Sequence, residues 1–370
     1  MTFIKEMMTM SKINKTVHYT NEKIKKENAQ INLILGGKSI GKSYNIKHEE
    51  MIYNYFKTGN RFILLRRWQE DISSLWCEQY FADVDIYKIT EGKYNCISVY
   101  RKTVYLSNYE SEIGKVKRGE KIGYIMALST EQHMSSASFL DVDEIVFEEF
   151  MERGGRYIAN EPDRLMIFYN TIDRNRGTTK LWLIGNTITR VCPYLQEWNI
   201  QNIVAHMKIG DIKTLIIHNE KNDVKIAIEY AMSNITKSFA IGKASKMIDS
   251  GDWQTEPQPK LPESYSNYKV LYRIGFYYQG FKFLGEYIKS EKEPNPVWFI
   301  KPYIKEFDKI LVFSDIISTS KYYQRNIYDL TFKNDRIQRI LNNFRESTVF
   351  YSDDLTGTDF KNAIDFSIRR

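Results

Sequence analysis

From residue 31 onward, apolar runs of strand length alternate with amphipathic stretches of helix length. INLILGG (31–37) reads as a strand buried on both faces. SYNIKHEEMIYNYFKTG (43–59) reads as a helix that stops at Gly59. RFILLRR (61–67), GYIMALS (123–129), DEIVFEEF (143–150) and KLWLIGN (180–186) are further strands, with a helix at about 160–175. Residues 84–107 alternate in short pieces, as a hairpin insertion would. Strands separated by helices predict an α/β fold with a mostly parallel sheet covered on both faces.

The flanks differ. Residues 1–30 are polar and Lys-rich, with a short helix at 20–29, and read as an arm outside the core. The first domain spans 31–225. Residues 226–249 read as helical, and 251–264 hold three of the chain's eight prolines, so 226–264 is a linker segment. Residues 265–370 form a smaller α+β domain: a hairpin at 267–288 with Gly280 at its tip, strands at 297–304 and 309–315, and a closing helix within 323–347.

The chemistry sits where the first strand meets the first helix. Gly36, Gly37, Lys38, Ser39, Ile40, Gly41, Lys42 and Ser43 match the phosphate-loop pattern of Gly, four residues, then Gly-Lys-Ser. Glycines let successive backbone N–H groups turn toward phosphate, and the following helix offers its positive end. Lys42 is expected to reach the β- and γ-phosphates of ATP, and the Ser43 hydroxyl to ligate Mg²⁺. A phosphate loop needs a carboxylate on a neighbouring strand. Ile145-Val146-Phe147 runs into Glu148 and Glu149, so Glu148 is expected on the metal side and Glu149 beside the attacking water. Asp143 and Glu144 compete for this role but lack a good apolar run before them. Asn186 ends a strand where a polar group can touch the γ-phosphate. Arg174 and Arg176, after the 160–173 helix, are equal candidates for an arginine that completes a neighbouring subunit's site.

Composition narrows the setting. The net charge of +7 permits a nucleic-acid partner without requiring one. Cys77, Cys96 and Cys192 are odd in number and lack ligand spacing, which suits three buried thiols in a reducing compartment. The five histidines are scattered, so no zinc site is visible. The opening MTFIKEMMTMSK lacks an apolar core of signal-peptide length, and no run is long enough to span a membrane. A soluble, intracellular protein with no membrane partner is expected.

GGKSIGKSY, FILLRRW, IVFEEF, TIDRNR and LIGNTITRVCPY, in this order and spacing, resemble the double-stranded DNA packaging ATPases of small podophages, the phi-twenty-nine type. The resemblance implies an additional-strand (ASCE) ATPase domain, a short linker domain and a C-terminal domain resembling an RNase H-like nuclease. It also implies a homomeric ring, usually of five subunits. Such a ring docks transiently on the procapsid portal in the host cytoplasm and drives viral double-stranded DNA inward, with room for a structural RNA. The family's metal-binding Asp falls on Glu148, its catalytic Glu on Glu149 and its trans-acting arginine on Arg174. Two positions depart from the pattern: Glu148 is one methylene longer than Asp, and Gln69 stands where a lysine is expected after Arg66 and Arg67.

A working RNase H-type nuclease needs clustered carboxylates on its strands. The first long strand, 268–278, has none. Asp315, Asp353, Asp354 and Asp359 fall at strand ends or in the loop YSDDLTG, so an inactive nuclease is expected. Its surface could then bind DNA or portal through Lys and Arg interleaved with aromatics such as Tyr322, Tyr323 and Arg325. The rival readings are a helicase or partition ATPase, and a nucleic-acid-binding module with a degenerate phosphate loop.

Overall fold

Ile31–Gly36 forms β1 and is buried along its whole length, as a continuous apolar run dictates for a central strand. The computed structural model describes residues 18–134, 138–152, 155–218, 222–232, 251–292, 295–325 and 335–368. The chain divides into two compact units, Met1–Ile188 with His206–Asp252, and Thr189–Ala205 with Trp253–Arg370.

In the first unit the other strands are β2 (Arg61–Arg66), β3 (Cys96–Tyr100), β4 (Thr103–Glu110), β5 (Lys115–Ala127), β6 (Val142–Glu148), β7 (Lys180–Asn186), β8 (Ile212–His218) and β9 (Asp223–Tyr230). They make one nine-stranded sheet in the order β3-β4-β5-β2-β6-β7-β1-β9-β8. The six inner strands from β5 to β9 run parallel, with antiparallel strands at both edges. β7 lies between β1 and the acidic β6.

Several expectations need correction. The segment read as an arm is part of the core over its described residues. Tyr19, Ile24 and Ala29 are buried, and the Tyr19 hydroxyl donates to Glu229 Oε2 at 2.7 Å. Its polar look misled because Asn21 is itself buried and, together with the exposed Lys25, satisfies the buried Glu50, whose Oε1 lies 2.6 Å from Asn21 Nδ2 and from Lys25 Nζ. Residues 226–230 are not helical linker. They belong to β9 and pair with β1, as Ile226, Ala227 and Ile228 are buried in a sheet interior. Of the rest of that helical reading, 231–232 follow the strand without forming helix, and 233–249 lies outside the described residues. The helix after the loop begins at Lys42 and passes through a π-helical stretch, Lys47–Tyr53, before ending at Thr58. Gly59 ends it at φ 76°, the left-handed cap that glycine adopts freely. Of the three thiols, Cys77 and Cys192 are buried but Cys96 only partly.

The second unit holds β10 (Tyr268–Tyr278), β11 (Phe281–Ser290), β12 (Val297–Pro302), β13 (Leu311–Ser314), β14 (Tyr323–Arg325) and β15 (Val349–Tyr351), in the order β14-β13-β10-β11-β12-β15. β10 to β12 form an antiparallel meander, and β13 runs parallel to β10. The helix expected within 323–347 spans Asp335–Glu346, and 326–334 lies outside the described residues. The closing element is instead Asp354–Ile368, so Asp354 and Asp359 are helical and not in a loop. Asp353 caps that helix, accepting from Thr356 N at 2.7 Å, which a bare DDLTG string does not distinguish from a turn. Among the described residues no helix is long and apolar enough to cross a membrane.

If residues 18–30 are core, Ile24→Ala should destabilise the first unit by about 2–5 kcal/mol in denaturant unfolding, as a fully buried isoleucine does. A change within about 0.5 kcal/mol, the scale of surface substitutions, would return the segment to a peripheral arm.

Candidate functional site

The carboxyl ends of β1, β7, β6 and β2 bring the chemistry together. Gly36 at the end of β1 is level with Asn186 at the end of β7. Between β1 and the next helix, Gly41 takes φ 98°, a left-handed conformation that a side chain would strain. Lys42 is buried beneath the loop. Its Nζ donates to Gly36 O at 3.0 Å, Gly37 O at 2.5 Å and Asn186 Oδ1 at 3.1 Å. Burial lowers its pKa to about 7, with Glu148 opposing the shift. Lys38 and Ser39 are exposed at the loop's tip, and Ile40 packs inward.

The two acids occupy different environments. Glu148 is 5% exposed, and each carboxylate oxygen accepts from one hydroxyl: Ser43 Oγ at 2.9 Å and Tyr80 OH at 2.9 Å. Burial raises its pKa, and the two hydroxyls pull the other way. Glu149 is 62% exposed and pairs with Arg66, whose Nη2 lies 2.9 Å from its Oε2. Its φ of 56° is left-handed, which costs a non-glycine residue on the order of 1–3 kcal/mol. Arg67 holds that turn. Its Nε donates to both Glu161 oxygens at 3.0 and 2.8 Å, Nη1 to Glu149 O at 3.2 Å and Nη2 to Phe150 O at 2.5 Å. Arg66, Arg67, Glu148, Glu149, Arg156 and Asn186 line a cavity of about 240 Å³ at this edge.

The competing acids are structural. Glu144 is buried against Trp182 Nε1 at 2.6 Å, and Asp143 accepts from Asn54 and Asn60 at 3.0 Å each. Gln69 accepts from Lys102 Nζ at 2.5 Å. Arg174 is not part of the cluster. It is exposed after the helix Glu161–Asp173, on the path to Lys180 at the amino end of β7. Arg176 is consumed locally, donating to Leu140 O, Val142 O, Ile172 O, Asp173 O and Thr179 Oγ1. Sequence reasoning missed Tyr80, Trp76 and Glu161. Trp76 and Tyr80 stand four apart in SLWCEQY and so share a helix face, but such a pair usually signals ordinary packing.

The family model of the podovirus DNA encapsidation protein (Gp16) matches residues 13–222, more than half of the chain. The chain belongs to this family. The encapsidation-family match spans the loop, both acids, Arg174 and Asn186. The DNA packaging proteins of Bacillus phages PZA and phi29 are each 27% identical over 190 residues, covering 51% of this chain and 52% of the relative. The chain thus spans about half the length of the curated relatives it matches. A solved structure described as the bacteriophage Phi-29 viral genome packaging motor assembly shares the fold, with a TM-score of 0.57 and 18% identity over 95% of this chain and 100% of that one.

The pKa of Lys42 gives the site a testable proton balance. With its pKa lowered toward about 7, Lys42 is partly deprotonated at about pH 8, and a polyphosphate placed beside it restores the charge. Binding of ATP should therefore take up a fraction of a proton at that pH. Calorimetry in buffers of different ionisation enthalpy measures it, and Lys42→Ala should abolish it. Proton release, or none exchanged, would contradict the placement.

Proposed function

We propose that this chain is an ATP-driven translocase that packages viral double-stranded DNA into a procapsid, working as one subunit of a homomeric ring. The observation that carries the proposal is the convergence of Lys42, Ser43, Glu148 and Glu149 at one sheet edge in a chain of the encapsidation family. The name of the relatives, DNA packaging protein, supplies the substrate class.

The residues fit ATP and Mg²⁺. A hydroxyl 2.9 Å from a carboxylate oxygen is a hard donor set, and Mg²⁺ takes most of its other ligands from water and phosphate. Ser43 and Glu148 would hold the metal, which supplies charge neutralisation on the β- and γ-phosphates. Lys42 would exchange its loop carbonyls for phosphate oxygens. Asn186, already bonded to Lys42, is placed to follow the γ-phosphate. Glu149 is the base that orients and deprotonates water, once its carboxylate leaves Arg66.

Arg174 serves the neighbouring subunit. Gly36 and Asn186 lie at the carboxyl ends of their strands, whereas Arg174 precedes Lys180 at the amino end of β7. Seven strand residues separate the two edges, roughly 20 Å, farther than an arginine reaches. A guanidinium there can cancel charge on a γ-phosphate only across a subunit boundary.

The second unit supports an RNase H-like reading through its strand order, a three-stranded antiparallel meander flanked by β13 and β14 parallel to its first strand. An inactive nuclease suits its carboxylates, each of which has a structural task. Asp315 accepts from Gln279 and Ser367, Asp359 pairs with Arg190, and Asp353 and Asp354 sit at the start of a helix. Among the described residues no group of three or more His, Cys, Asp or Glu could hold a metal. The same reading takes a ring of five subunits docked on the portal, and leaves room for a structural RNA.

Two experiments test this. Arg174→Ala and Lys42→Ala proteins should each be inactive as ATPases, since an arginine finger is worth about 10³–10⁵-fold and the loop lysine a comparable charge. Mixing them should restore part of the activity, because some boundaries join an intact loop to an intact arginine. Mixed rings that form but stay inactive would show that Arg174 acts in its own subunit or only structurally. DNA binding should ignore sequence and weaken steeply with salt, each phosphate contact adding about −0.9 to the log–log slope. A footprint confined to one sequence would contradict translocation.

A further inference from the structure

Beyond the loop and the two acids, one residue from a separate element reaches the site. Tyr80 ends the helix Ser74–Tyr80, which follows β2 after a short connection. Its hydroxyl donates to Glu148 Oε1, while Ser43 donates to Oε2. A glutamate carboxylate turns easily, because its last torsion is broad and weakly preferred. Its plane is fixed only if both oxygens are held, and the burial of Glu148 leaves few chances for water to replace a missing donor.

Tyr80 is itself held from several sides. Its carbonyl accepts from Lys47 Nζ at 2.6 Å, and the same ammonium lies 5.0 Å from its ring centroid. The ring packs at 5.0 Å on Trp76 and edge-on at 5.1 Å to Phe81. Cys77 and Phe81 anchor the segment in the core, and Ser73 caps the helix by accepting from Trp76 N. Trp76 also faces the guanidinium of Arg66 at 5.1 Å, and Arg66 holds Glu149. One short helix therefore touches the supports of both acids.

We infer that Tyr80 is a positioning residue for the metal-side carboxylate: its hydroxyl sets the plane in which Glu148 meets the water shell of Mg²⁺. The long glutamate side chain needs this second anchor, and Tyr80 supplies it from an element independent of the phosphate loop. The inference rests on the proposed reading of Glu148 as that carboxylate.

Tyr80→Phe keeps the ring contacts and removes only the hydroxyl. Binding of a fluorescent ATP analogue by the full chain, titrated with MgCl₂, should show apparent Mg²⁺ affinity reduced by about 10–100-fold, the usual effect of losing an outer-shell partner. Metal-free nucleotide affinity should match the parent, and the unfolding temperature should fall by no more than the few degrees that one unpaired buried acceptor costs. Adding Tyr80→Phe to Glu148→Gln should cost little more than Glu148→Gln alone, because the two act through one carboxylate. Unchanged Mg²⁺ dependence in Tyr80→Phe would overturn the inference. So would equal losses of nucleotide affinity with and without metal, which mark a merely structural hydroxyl. If Glu148→Gln itself leaves Mg²⁺ dependence intact, the metal reading of Glu148 fails first. If only Glu148→Gln shifts it, the role of Tyr80 alone fails.

Discussion

The parallel registration of β1, β7 and β6 is the constraint on which the site depends. β7 pairs with both neighbours, so Gly36, Asn186 and Glu148 end near one edge without any direct contact between β1 and β6. The positions follow from backbone hydrogen bonding, and the side chains then need only short reaches. Ser43 spans the gap to Glu148 with a single hydroxyl, and Lys42 reaches Asn186 directly. A shift of one residue in β7 would carry Asn186 to the opposite face of the sheet, away from Lys42.

Arg67 and Glu161 illustrate how a costly interaction can still be retained. Both side chains are buried, 5% and 0% exposed, and a buried ion pair alone often contributes little net stability. Here the guanidinium also satisfies the carbonyls of Glu149 and Phe150. The pair fixes the backbone just past β6, in the left-handed turn that Glu149 adopts. Its value lies in geometry: the carboxylate of Glu149 is aimed by a backbone that the ion pair holds in place.

Much of this was legible in the sequence, for identifiable reasons. Central parallel strands are apolar throughout, so β1, β2, β6 and β7 stood out, and the pattern of Gly, four residues, then Gly-Lys-Ser has a fixed spacing. The segment 18–30 was not legible, because its buried apolar residues are interleaved with polar ones, and the buried Asn21 and the exposed Lys25 find their partner in the distant Glu50. β9 was lost for a related reason. Its inward Glu229 is satisfied by Tyr19, a partner about two hundred positions away, and reads locally as a helical polar face. Tyr80 was invisible in the same way. No local pattern tells a tyrosine that packs from one whose hydroxyl ends on a carboxylate 68 positions downstream.

Glu148 and Glu149 are adjacent in sequence and yet sit in environments that are not interchangeable. Glu148 is the last residue of β6, facing inward between two hydroxyls, and burial favours its neutral form until a cation stands beside it. Continued as a strand, the chain would send Glu149 to the opposite face of the sheet. The left-handed turn, held by Arg67, instead leaves it exposed at the sheet edge, against a guanidinium and open to water. A buried, doubly hydrogen-bonded carboxylate suits a cation's water shell. An exposed carboxylate with one exchangeable partner suits proton transfer. The division of labour proposed for the pair thus follows from where β6 ends and which way the chain turns there, and the buried Arg67–Glu161 pair sets that turn.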